Sequence, residues 1–136
     1  MKRLICTMGL PRSGKTTWCK EQKLGPVVSP DAIRLALHGQ PFIGHAEPMV
    51  WAITRYMVRS LFEYGYQTVV LDSTMTEEYR RNEWADKGWV TSFKVFETPL
   101  EECIKRAGPN TMLVDIINRM YARWEPLCDH ELEYKE

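Results

Sequence analysis

At 136 residues, 44% hydrophobic and 26% charged, the chain has the length and composition of one soluble globular domain. Its 18 lysines and arginines balance 18 acids, unlike a protein that coats long nucleic acid, and no apolar run is long enough to cross a bilayer. Cys6, Cys19, Cys103 and Cys128 lack metal-ligand or redox spacing, so reduced thiols in a cytoplasmic protein are expected.

Lys2–Met8 is apolar with a β-branched residue and stops at Gly9, which predicts a buried first strand. Gly14–Gln22 reads as a helix ended by the Lys-Leu-Gly-Pro break at 23–26. Val27-Val28 is a short second strand. Ser29-Pro30-Asp31 marks a helix start, with Ser29 as cap and Pro30 in the first turn, and the helix runs to about Leu37. Gly39–Pro48 is a loop. Val50, Ile53, Met57, Val58 and Leu61 then fall on one helical face, and Gly65 closes that helix. Gln67–Leu71 is a third strand that delivers Asp72 at its carboxyl end. Thr76–Lys87 reads as a helix capped by Thr76, Val90–Phe96 as a fourth strand, and Pro99–Arg106 and Met112–Trp124 as the last helices. Alternating strands and helices predict an α/β three-layer sandwich with a short parallel sheet. A single domain over 1–136 is expected, ending in an acidic tail, 129–136, with four acids and one lysine.

Ligands of such sheets bind beyond the carboxyl ends of the strands. Gly9, Ser29–Asp31 and Asp72 all fall there. Gly9, Gly14, Lys15 and Thr16 satisfy G-x-x-x-x-G-K-[ST], the phosphate loop of P-loop NTPases. Glycines let successive N–H groups turn inward, and the helix from Gly14 adds its positive end. Gly9, Pro11, Arg12, Ser13, Gly14, Lys15, Thr16 and Thr17 are the candidate nucleotide-binding residues. Lys15 is expected to reach the β and γ phosphates, and the Thr16 hydroxyl to hold Mg²⁺. Asp72 is the second candidate metal contact, through water.

A P-loop alone names no reaction. The guanine-reading Asn-Lys-x-Asp segment of GTPase switches is absent from the sequence, and motor or AAA+ ATPases need a longer chain. A compact P-loop protein of this size fits a kinase, which needs a base for the acceptor hydroxyl and cations around the moving phosphoryl group. Asp31, on the same rim as the loop, is the candidate base. Arg34, one helical turn on, is the candidate grip on an acceptor phosphate. Phe42, His45 and Glu47 are either acceptor-pocket residues or plain loop residues. Trp18, Trp51 and Trp84 read as packing residues, and Arg80 and Arg81 as a solvated helix face, with steering of a phosphate-bearing substrate as the alternative.

Gly9–Trp18 (G-L-P-R-S-G-K-T-T-W), Ser29–Arg34 (S-P-D-A-I-R), Val69–Thr74 (V-V-L-D-S-T) and Arg80–Trp84 (R-R-N-E-W), in this order, resemble the kinase domain of the phage-type 5′-polynucleotide kinases. These sit among the zeta-toxin-like and nucleotide-kinase-like P-loop proteins. Lys94–Arg106 and Val114–Tyr121 continue the likeness. The resemblance implies ATP as donor, Mg²⁺ as cofactor, Asp31 as general base, Arg34 on the acceptor's phosphate and a hydroxyl on a polynucleotide end as acceptor. It also implies an arginine-bearing lid between the last two helices. Here that segment is Ala107–Thr111, without arginine, so Arg106 at its base is the candidate lid cation, with Arg119 and Arg123 in reserve. Gly39–Pro48 and the next helix depart from the family.

The expected activity is therefore an ATP- and Mg²⁺-dependent phosphotransferase acting on an alcohol group of a nucleic acid. The acceptor is a polynucleotide 5′-OH or the hydroxymethyl group of a modified base such as 5-hydroxymethyluracil in phage DNA. The alternatives are a nucleoside or nucleotide kinase and a non-catalytic nucleotide-binding regulator. The expected partners are a nucleoside triphosphate and a nucleic-acid acceptor, with no membrane and no obligate protein partner. The expected location is the cytoplasm, a host's in the case of phage origin.

Overall fold

Arg3–Met8 (β1) is buried from Leu4 onward, as a parallel strand covered on both faces must be. Four further strands pair around it: Val27–Val28 (β2), Thr68–Leu71 (β3), Val90–Val95 (β4) and Leu132–Glu133 (β5). In the computed structural model, which describes residues 1–40 and 42–136, all are parallel, in the order β2-β3-β1-β4-β5. Pro41, in the expected 39–48 loop, lies outside the described residues. The helices are Lys15–Glu21 (α1), Pro30–His38 (α2), Glu47–Tyr64 (α3), Glu78–Asn82 (α4), Leu100–Ala107 (α5) and Thr111–Ala122 (α6). A short 3₁₀ turn, Gly44–Ala46, leads into α3.

Alternation along β1 makes the layers. Leu4, Cys6 and Met8 face one way and pack with Val69 and Leu71, with Ile33 of α2 and with Val50, Val58 and Phe62 of α3. Ile5 faces the other way and packs with Val70 and with Cys19 of α1. Each such large apolar side chain contributes about 1.5–3 kcal/mol by leaving water. Leu10, just past β1, seats the α5–α6 pair through Cys103, Ala107 and Ile117. This is the expected α/β sandwich, with one more strand than the four expected. Cys6, Cys19, Cys103 and Cys128 are free thiols, the first three buried.

Local signals place several elements correctly. Ser29 accepts the Ala32 N–H at 3.1 Å, and Pro30 follows in the first turn. Asn110 caps α6 by accepting the Leu113 N–H at 3.1 Å. Trp84 is buried against Trp51, with ring centroids 6.3 Å apart. Trp18 packs edge-on to Phe96 and Tyr134, and its indole N–H donates to Glu136 at 2.6 Å.

Three expectations are corrected. Thr76 does not cap a helix over 76–87: it is buried, its carbonyl accepts the Glu125 N–H at 2.8 Å, and α4 is confined to Glu78–Asn82. The buried face of α3 is Val50, Thr54, Val58 and Phe62, while Met57 is exposed. Thr54 enters the core because its hydroxyl donates to the Val50 carbonyl at 2.8 Å, which removes the cost of burying it. Arg81 is not solvated. It is fully buried and paired twice with Glu131, Nε to Oε2 at 2.8 Å and Nη2 to Oε1 at 3.2 Å. It also donates to the carbonyls of Met75 at 2.9 Å and Pro126 at 3.1 Å. The acidic residues 129–136 therefore supply both a core ion pair and the edge strand β5.

Candidate active site

The phosphate loop is shaped by contact as much as by torsion. A Cβ on Gly9 would lie 2.7 Å from Ser13 Oγ, 2.9 Å from Phe96 Cβ and 3.3 Å from the Phe96 carbonyl, so only glycine fits. Gly14 has φ 102°, a left-handed backbone natural to glycine. Arg12, at φ 68°, adopts the same hand without that freedom, at a cost of about 1–2 kcal/mol. The loop is held from outside by Thr98, whose hydroxyl donates to the Ser13 carbonyl at 2.8 Å. From its last residues α1 departs with the unpaired N–H groups that every helix start presents.

Lys15 is buried, and its Nζ donates to the Leu10 carbonyl at 2.7 Å within the loop. Burial lowers its pKa, while the carboxylates of Asp72 and Asp31 pull the other way. Asp72 is carried to the same place by the sheet. Its N–H donates to the Val28 carbonyl at 2.9 Å. Next to it, the Ser73 N–H donates to Thr7 Oγ1 and the Thr7 hydroxyl to the Ser73 carbonyl, both at 2.8 Å. The Gly9 N–H then donates to the Thr74 carbonyl at 2.9 Å, latching the chain after β3 to the loop. As a result the Thr16 hydroxyl donates to Asp72 Oδ2 at 3.0 Å. Burial raises the Asp72 pKa, opposed by the Thr16 hydrogen bond and by Lys15.

The residues fit a nucleotide and its divalent ion. Ser13 Oγ is buried without a hydrogen-bond partner among the described residues. A Cβ at Gly9 would press on that same Ser13 hydroxyl. The hydroxyl–carboxylate pair Thr16–Asp72 is the hard oxygen donor set that Mg²⁺ takes, completed by water and phosphate. Described residues contain no cluster of three or more His, Cys, Asp or Glu that would hold a metal by themselves.

On the neighbouring rim Asp31 is exposed, and its Oδ1 accepts from Arg34 Nη1 at 2.6 Å. Arg34 is not a free cation. Its Nε and Nη2 are bound by both oxygens of Glu47, at 2.9 and 2.6 Å. Its guanidinium also lies 5.8 Å from the Trp51 ring. Burial alone would lower the Arg34 pKa, but the bonds to Glu47 and then to Asp31 outweigh it and leave it raised. The Arg34 hydrogen bond correspondingly lowers Glu47. Glu47 thus joins the site as the anchor of Arg34, across the α2–α3 contact. The sequence offers Glu47 as an acceptor-pocket or plain loop residue of 39–48, whereas the structure makes it the first residue of α3. Phe42 and His45 are exposed and lie on the same stretch.

Arg106 reaches the loop: its Nη1 donates to the Arg12 carbonyl at 3.0 Å and its Nε to Glu102 at 3.1 Å. Of its alternatives, Arg119 donates to the Asp115 carbonyl of its own helix at 3.4 Å, and Arg123 is exposed at the end of α6. Surface recesses lie elsewhere, one beside Trp89 and His130 and one beside Trp18 and Tyr134.

Residues 4–109 match the family model AAA_33, an AAA domain. The chain belongs to this family of P-loop kinase-like domains. Its fold is shared with solved structures. A chain in the structure of the Pnkp1/Rnl/Hen1 complex superposes with a TM-score of 0.70 at 24% identity, over 80% of this chain and 40% of that one. A chain of the Pnkp1/Rnl/Hen1 RNA repair complex superposes with a TM-score of 0.66 at 20% identity, over 99% of this chain and 52% of that one. This P-loop kinase-like domain therefore spans about half or less of the chains it resembles. The likeness to polynucleotide kinases seen in the sequence agrees with both the family and the fold, and the family implies nucleotide binding. No helix among the described residues is long and apolar enough to cross a membrane.

Proposed function

We propose that this domain is an ATP- and Mg²⁺-dependent kinase that transfers the γ-phosphoryl group to a hydroxyl of a nucleic acid. The acceptor is the 5′-OH of a polynucleotide or a hydroxymethyl group on a modified base. One observation supports the reading: the Thr16 hydroxyl donates to Asp72 Oδ2 at 3.0 Å beside the loop in which Lys15 Nζ is held on the Leu10 carbonyl, with the Asp31 carboxylate exposed on the neighbouring rim. A base, a phosphate cation and a metal-holding carboxylate would then serve one site. The fold likeness to chains of an RNA repair complex supports a nucleic-acid acceptor.

The loop N–H groups and the start of α1 would cradle the donor phosphates. Lys15 would exchange the Leu10 carbonyl for a phosphate oxygen. Mg²⁺, held by Thr16 and through water by Asp72, would neutralise charge on the phosphates when bound. Asp31, oriented by Arg34, would accept the proton of the acceptor hydroxyl as its oxygen bonds to the γ-phosphorus and the bond to the bridging oxygen breaks, releasing ADP. Arg106, fastened to the loop, would face the charge that builds on the moving group. Because both forks of Arg34 are engaged with carboxylates, its role toward an acceptor phosphate would require it to share or release Asp31.

The test is labelled ATP offered with 5′-OH oligonucleotides, hydroxymethylated duplex DNA and free nucleosides. Label on either polynucleotide supports the proposal. Label confined to nucleosides replaces it with a small-molecule kinase, and no transfer at all leaves a nucleotide-binding regulator. D31N should lower kcat by about 10²–10⁴ while MgATP affinity is kept; equal turnover would remove Asp31 as base.

A further inference from the structure

We infer that the α3–α4 face is a track for single-stranded nucleic acid, on which Arg80, Arg55 and Arg59 hold phosphates of an acceptor strand leading away from the Asp31 rim. This rests on the nucleic-acid half of the function proposed above. Every arginine–aromatic stack among the described residues lies on this face. Arg34 and Arg80 lie 5.8 and 6.0 Å from the Trp51 ring centroid, Arg55 lies 4.9 Å from Trp84, and Arg59 lies 5.8 Å from Trp89. The rings are themselves joined. Trp51 meets Trp84 edge-on at 6.3 Å, and the Trp89 indole N–H donates to the Trp84 carbonyl at 3.1 Å. Cation–π stacks occur about once per 70–80 residues in proteins, so this row is a built feature of the face. It starts at Arg34, which holds Asp31, and runs along α3, where Trp51, Arg55 and Arg59 follow every four residues, steps of about 6 Å. It ends at Lys2, 6.0 Å from the Phe62 ring, which stacks on Trp89 at 5.3 Å.

Stacking holds a guanidinium flat on a ring and leaves its N–H edge for oxygen atoms, so less freedom is lost when a phosphate binds. The side chains of Arg59 and Arg80 are 52% and 45% exposed. Arg80 meets only the exposed Glu83, at 3.5 Å, a pair too weak to keep it from a phosphate. Arg59 gives one of its N–H groups to Asp86 at 2.9 Å. Arg55 donates to the Glu83 carbonyl, which leaves its charge unneutralised. Lys2 has no ion-pair partner among the described residues. Glu83 and Asp86 are thus the only ion-pair partners for Lys2, Arg55, Arg59 and Arg80, an excess of positive charge in a chain whose net charge is zero. Two exposed rings favour a single strand as the occupant. Tyr79 lies 5.0 Å from Arg80, and Tyr56 stands one helical turn before Arg59. Unpaired bases stack on such rings, and the bases of a duplex are not free to.

The test is fluorescence anisotropy of a labelled 5′-OH oligodeoxythymidine strand over a salt series, on the wild type, R55Q/R59Q and D86N, with MgATP calorimetry of each. R55Q/R59Q should bind the strand about tenfold to a hundredfold more weakly at low salt, and its salt slope should be smaller by about 1–2. D86N, which frees Arg59, should bind the strand more tightly than the wild type, a gain that a merely structural arginine would not give. MgATP affinity should be unchanged in both variants. Equal strand affinity and slope in the wild type and R55Q/R59Q would overturn the track. So would a D86N no tighter than the wild type, MgATP binding lost in parallel with the strand, or tighter binding of a matching duplex. A wild type that binds the strand but labels no hydroxyl would sink the kinase reading and leave the track standing. Labelling of the strand with the same KM in the wild type and R55Q/R59Q would do the reverse.

Discussion

Replacing Arg81 by methionine should be among the most damaging single changes outside the active site. Arg81 and Glu131 have side chains 0% and 5% exposed, so water screens neither charge. Removing the guanidinium strands a buried carboxylate and leaves the Met75 and Pro126 carbonyls without their donor. Breaking one side of such a pair costs about 3–5 kcal/mol. For a chain of this size that is a fall in Tm of roughly 10–20 °C. The effect reaches the site, because Met75 lies on the chain that carries Asp72 from β3 to the phosphate loop. Denaturant unfolding of the wild type, R81M and the double variant R81M/E131L is the assay. The double variant should recover part of the loss, since an apolar pair no longer strands a buried charge, while the Met75 and Pro126 carbonyls and the Cys128 N–H stay without their partners. A loss under about 1 kcal/mol in R81M would refute the reasoning, as would a double variant no better than the single.

Gly9→Ala forces a methyl against Ser13 and the Phe96 backbone, which should cost about 1–3 kcal/mol by overpacking and weaken MgATP binding, read by calorimetry. Unchanged stability and affinity would show that the loop yields freely. Glu47 titrates below its ordinary pKa because of Arg34. Its contribution to stability is therefore complete above about pH 4.5 and is lost as pH falls through the depressed value. Urea midpoints measured down the acid range should decline less steeply for E47Q than for the wild type; parallel curves would show that the pair adds nothing.

The phosphate loop was legible because its constraint is local. A left-handed turn and a close approach admit glycine at Gly9 and Gly14, and Lys15 and Thr16 follow at fixed spacing. Asp72 was legible because an apolar strand ends on it, and Asp31 because Ser29 and Pro30 announce a helix start on the same rim. Arg34 and Glu47 were separately visible, but their bidentate bond joins two helices across a loop, and no spacing rule predicts it. Thr54 was missed in the α3 face because a threonine that bonds back to its own helix is polar in composition and apolar in effect.

Arg81 and the acidic residues from Asp129 onward mark the division most clearly. By itself, the sequence determined the phosphate-loop motif and the order of the first four strands and the helices between them, because periodicity, capping and the glycines of Gly9–Thr17 act over a few residues. Tertiary structure alone decided which charges are buried. An arginine on a short helix and a glutamate in a charged tail have the composition of solvent-facing residues. They became a core pair only when β5 joined the sheet and brought Glu131 to Arg81.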